Sequence, residues 1–166
     1  MLKRNAQAHK RKQTGMNDPL AAACEICGAV QVEGWTCESA FHQMLVWEFS
    51  DENGAGSVHH LSVLCYHLQH PQLYSPQGLR HALDLLVAFE SGATPEQVRE
   101  EARASLKERT WPIRGSVSAG FGTYAHPVHW TTHAPQVVAG GSAGYVDRVQ
   151  AWSTSILTAL RNAGEL

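Results

Sequence analysis

The stretch "HHLSVLCYHLQHP", from His59 to Pro71, constrains the fold more than any other part of the chain. Leu61, Leu64, Cys65 and Leu68 recur at i, i+3, i+4 and i+7, the spacing of one buried helix face and not of a strand. Ser57 is a candidate cap before this run. Pro71, with no backbone N–H to give, ends it.

The same periodicity marks further helices. "ESAFHQMLVWEFS" places Phe41, Met44, Leu45 and Trp47 at helical spacing, and "DENGAG" behind it reads as a loop. Ser75 and Pro76 open a helix whose buried face is Leu79, Leu83, Leu86 and Val87, with Gly92 at its end. Thr94 and Gln97 form a capping box for a short, charged, peripheral helix. Val149, Trp152, Ile156 and Leu160 form the stripe of a last helix that stops at Gly164. Residues 111–144 are rich in Gly, Pro, Ser and Thr and are expected to be a long irregular segment. The chain has 166 residues, 43% of them hydrophobic, enough for one core and too few for a second full domain. The expectation is an all-α fold of about five helices over residues 17–166, with a small N-terminal cysteine-bearing zinc ribbon or knuckle.

Charge limits the partners. The net charge is -2 with histidine neutral and the pI is about 6.5, so no general electrostatic grip on nucleic acid is expected. Residues 1–16 carry Lys3, Arg4, Lys10, Arg11 and Lys12 among polar neighbours and read as a flexible basic tail. Nucleic-acid contact through that tail is the less favoured reading, a solvated tail the favoured one. No apolar run is long enough to span a membrane, and the N-terminus lacks the apolar stretch of a secretory signal. A cytoplasmic, reducing setting is therefore expected, in which cysteines act as metal ligands or redox groups rather than disulfides.

The four cysteines are Cys24, Cys27, Cys37 and Cys65. Cys24 and Cys27, two residues apart with Gly28 behind them, are placed to point both sulfurs at one zinc ion. Cys37 and His42 extend this to C-x2-C-x9-C-x4-H. The fourth ligand is open at this stage between His42, His60 and His70. Cys65 lies on the core stripe and reads as a small buried hydrophobe. A redox role for C-x2-C is disfavoured because no helix starts at Cys24 to lower its pKa.

Histidine forms a second pattern. At about 100° per residue, His60, Val63, His67 and His70 fall on a stripe beside the core face. Such a face, with His81 or with His126, His129 and His133, can be read as a catalytic metal site holding an activated water. The plainer reading is that each histidine bonds to another, to Tyr66 or Gln69, or to backbone carbonyls. Geometry favours the plainer one: His60 and His67 stand about 10 Å apart along a helix, and the i, i+4 pairing of H-E-x-x-H is absent.

These features together resemble a bacterial family of uncharacterised proteins catalogued as a domain of unknown function. The resemblance rests on the C-x2-C-G of Cys24, Cys27 and Gly28, on Cys37 before a helix, and on the block with His60, Tyr66, Gln69, His70 and Pro71. It extends to His81, to a "FESG" helix end and to the late Val149 and Trp152, over about residues 22–160. It implies a small cytosolic protein with a metal-binding cysteine set and no established activity. Its characteristic positions here are Cys24, Cys27, Cys37, His60, His70 and His81, and His42 does not clearly belong to the pattern.

The resulting expectation is a small helical protein with a structural zinc ion held by Cys24, Cys27, Cys37 and a histidine. The alternatives are a metal-dependent hydrolase-like enzyme using the histidine face, and a nucleic-acid or protein binding module.

Overall fold

Most of the chain's apolar periodicity resolves into six α-helices in the computed structural model, which describes residues 23–105 and 110–166. The predicted basic tail, residues 1–16, lies outside the described residues. The helices are α1 (Cys37–Phe49), α2 (His59–Leu68), α3 (Pro76–Glu90), α4 (Pro95–Ser105), α5 (Ala134–Ala139) and α6 (Tyr145–Ala163). The helix beyond the predicted five is α5, six residues long and inside the segment expected to be irregular. It buries Ala134, Pro135, Val137 and Val138, but it is too short for a repeat to show in the sequence. Among the described residues, backbone pairing outside the helices is limited to isolated bridges: Val32 with Trp35, Tyr74 with Arg114, and Ser116 with Gly120.

Polar residues set the helix ends. Thr36 accepts the Ser39 N–H at 3.2 Å, and the Ser39 hydroxyl accepts the Thr36 N–H at 2.9 Å, a reciprocal cap that starts α1 just where Cys37 must be held. Ser75 caps α3 by accepting the Gly78 N–H at 2.9 Å. Thr94 and Gln97 make the predicted box at α4. Ser57 does not cap α2. Glu52–Val58 folds as a 3₁₀ helix kinked at Asn53 and Gly54, and the Ser57 hydroxyl turns back to the Gly54 carbonyl at 2.8 Å.

Helix α2 packs against α1, α3 and α6. Its Leu64, Cys65 and Leu68 are buried, as predicted, and Leu61 is partly so. They meet Met44 and Trp47 of α1, Leu79 and Leu86 of α3, and Tyr145, Val149, Trp152, Ile156 and Leu160 of α6. Each such large side chain contributes about 1.5–3 kcal/mol on burial. Two bonds pin the irregular segment onto this core. Gln69 Nε2 donates to the Thr132 carbonyl at 2.7 Å, and Trp152 Nε1 donates to the same oxygen at 3.1 Å. This fixes His133 beside the C-terminal end of α2, where the cysteines also lie.

A buried carboxylate ties α1, α2 and α6 together. Glu48 accepts a hydrogen bond from His59 Nδ1 at 2.6 Å and a short one from the Tyr145 hydroxyl.

Candidate metal centre

Cys24 and Cys27 sit on a turn closed from both sides. The Gly28 N–H donates to the Cys24 carbonyl at 2.8 Å, and the Cys24 N–H donates to the Ala29 carbonyl at 2.8 Å. Gly28 takes φ of 76°, a left-handed conformation that glycine adopts without steric cost. The turn aims both sulfurs toward Cys37, the first residue of α1. Cys27 Sγ lies 3.5 Å from Cys37 Sγ.

His70 approaches from the other side. It follows the end of α2 with φ -127° and ψ 62°, so its ring leaves the line of the helix face. Nε2 lies 3.5 Å from Cys37 Sγ and 3.6 Å from Cys24 Sγ. Nδ1 donates to the Tyr66 carbonyl at 2.6 Å. That bond keeps a proton on Nδ1 and turns Nε2 toward the sulfurs, so Nε2 is the nitrogen that would bind a metal ion on losing its proton.

The donor atoms of Cys24, Cys27, Cys37 and His70 all lie within 4.8 Å of one another. Zinc bonds of about 2.3 Å to sulfur and about 2.0 Å to nitrogen, at tetrahedral angles, require S···S edges of about 3.8 Å and S···N edges of about 3.5 Å. The edges of 3.5, 3.5 and 3.6 Å come close to these. This Cys3His group can hold a metal ion, and its size suits a single ion. It is the one such group of His, Cys, Asp and Glu among the described residues.

The donors already polarise one another. The hydrogen bond from Cys37 pulls the Cys27 thiol down to about 4, against burial, with His70 and the Ala29 backbone adding to the shift. The same contact and burial push Cys37 up. Burial works against charge on His70, but hydrogen bonds with Cys27 and the Tyr66 carbonyl outweigh it and raise the imidazole to about 9. Protons are thus crowded among groups that a cation would satisfy together, with proton release.

The chain belongs to DUF5946, a family of unknown function. The match covers residues 22–161, from just before Cys24 nearly to the end of α6. Comparison with curated proteins and with solved structures finds no significant match to either.

Of the candidate ligands named from the sequence, Cys24, Cys27, Cys37 and His70 come together, and His42 and His60 do not. His42 follows Cys37 by five residues, about 140° around α1. It is exposed and lines a cavity beside the group without joining it. His60 stands at the opposite end of α2 from His70, about 15 Å along the chain's helical rise, and packs on Phe89 with ring centroids 4.6 Å apart.

The remaining histidines are dispersed. His59 bonds to Glu48, His81 meets the Trp111 ring edge-on at 5.9 Å, and His126 approaches Glu165 at 3.3 Å. Cys65 is fully buried, and desolvation drives its thiol pKa upward.

His133 has a role that spacing did not announce. Its Nε2 donates to the Cys27 carbonyl at 2.9 Å across 106 residues of sequence. It braces the cysteine turn against the start of α5. A lone histidine in a Gly/Pro-rich segment carries no sequence signal for such a contact.

Proposed function

We propose that this chain is a zinc protein in which Cys24, Cys27, Cys37 and His70 bind one zinc ion whose role is structural. One observation supports this reading above the others. Four protein donors converge within 4.8 Å of one another, and three of them, Cys27, Cys37 and His70, are 6%, 7% and 4% exposed. Structural zinc sites close all four positions with protein, whereas catalytic ones keep a position for water.

The segment that such an ion would fasten has only a small apolar cluster of its own. The apolar cluster around the turn consists of Cys27, Ala29 and Cys37, with Cys24, Tyr66 and Trp130 packed beside it. Zinc would join three parts of the fold: the turn, the start of α1 and the end of α2.

Elemental analysis of purified protein tests the reading. Wild type and His60→Ala are expected to carry one zinc per chain, and Cys37→Ser less than half of that. Full zinc in Cys37→Ser, or none in wild type from zinc-replete cells, would overturn it.

A further inference from the structure

The three sulfurs of the group are not equivalent. Cys27 and Cys37 are buried and Cys24 is partly exposed; Cys24 lines a cavity of about 530 Å³, to which Cys37 and His70 also contribute. Apolar side chains form much of that cavity: Ile26, Ala29, Phe41, Tyr66 and Leu73. Phe41 stacks on Tyr66 at 3.9 Å, and Tyr66 stacks on His70 at 4.2 Å, so this wall is continuous with the metal group. Among the described residues, Glu38 is the only charged side chain in the lining apart from histidines.

Thiolate, not thiol, is the sulfur nucleophile, and a coordinating thiol is deprotonated outright. A sulfur bound to zinc at the wall of this cavity would be a thiolate within reach of a soft electrophile. We propose that Cys24 is an alkyl acceptor, taking one alkyl group from a small uncharged or cationic donor seated in this cavity. The inference rests on the zinc reading above.

The step is a displacement. A lone pair on Cys24 Sγ forms the new S–C bond as the bond from carbon to the leaving group breaks. The leaving group departs with the bonding pair, and nothing is oxidised or reduced. Cys24 changes from thiolate to neutral thioether, and Cys27, Cys37 and His70 remain as donors. Glu38 in the lining favours cationic donors over anionic ones.

Iodoacetamide is a suitable uncharged probe. Zinc content is measured first, so that failure of the zinc reading appears before any alkylation, and the inference then falls with it. Protein carrying one zinc per chain is treated with iodoacetamide, and each cysteine is followed by peptide mass. Cys24 should be modified at least ten-fold faster than Cys27 or Cys37, with most zinc retained through the first equivalent. Leu73→Trp, which enlarges an exposed side chain of the cavity lining that donates no atom to the metal group, should slow Cys24 at least ten-fold at unchanged zinc content. Equal rates at the three cysteines, a Cys24 inert while zinc is bound, or an unaffected rate in Leu73→Trp would overturn the proposal.

Discussion

Replacing His70 with alanine separates packing from metal ligation. Two interactions are lost whether or not metal is present. One is the 2.6 Å bond from Nδ1 to the Tyr66 carbonyl, about 1 kcal/mol. The other is the stack on Tyr66 at 4.2 Å, about 0.5–1.5 kcal/mol. In a metal chelator, His70→Ala should therefore lose about 2 kcal/mol of stability. With free zinc buffered at about 100 times the wild-type Kd, metal adds about 2.7 kcal/mol to wild type. Removing one of four ligands should weaken binding about 100-fold or more, a larger effect than losing a group that only orients a ligand. The same free zinc then adds only about 0.4 kcal/mol to the variant. Urea denaturation of both proteins, reduced, with buffered zinc and with chelator, gives all four values. The expected total loss in zinc is about 4 kcal/mol. An equal zinc increment in wild type and His70→Ala would refute the assignment of His70 as a ligand.

Other consequences can be checked in the same way. His133→Ala removes the brace on the Cys27 carbonyl and should weaken zinc binding about 10-fold, measured by competition with a chromophoric chelator. Glu48→Ala leaves the buried Tyr145 hydroxyl without its acceptor and should cost about 3 kcal/mol; Glu48→Gln, which keeps a carbonyl oxygen there, should cost less than half as much. Burial lowers the pKa of His60 below 6.5, with the neighbouring His59 adding to the shift. The unfolded chain then takes up the proton first as pH falls through about 6.5, so stability present above that pH declines below it. In chelator, which removes the metal's own pH dependence, wild type should lose more stability between pH 7.5 and 5.5 than His60→Gln does. Equal losses would contradict that account.

Much of this was legible in the sequence because helices repeat. The stripes of α2 and α6 follow from spacing alone, and the buried Val149, Trp152, Ile156 and Leu160 match theirs residue for residue; on α3, Leu79 and Leu86 are buried as expected, but Leu83 is only partly so, Val87 is exposed, and Ala82 takes a buried place instead. Cys24, Cys27 and Cys37 were legible because a tight turn and a helix start are local features. The histidine was not. A helical wheel places His60, His67 and His70 on one stripe, but α2 ends at Leu68, and His70 adopts its own backbone angles beyond it. The wheel therefore does not govern where its ring points. Choosing His70 over His42 required knowing that the end of α2 meets the start of α1, a tertiary contact with no local signature. The same reason hid His133, whose bond reaches back over 106 residues, while α5 is too short to show a repeat.

X-ray absorption at the zinc edge of the purified, reduced protein tests the central claim most directly. The account predicts a first shell of three sulfurs at about 2.3 Å and one nitrogen at about 2.0 Å, from one zinc per chain. A shell with two or fewer sulfurs, one that includes a water oxygen as fourth ligand, or no zinc at all would contradict it.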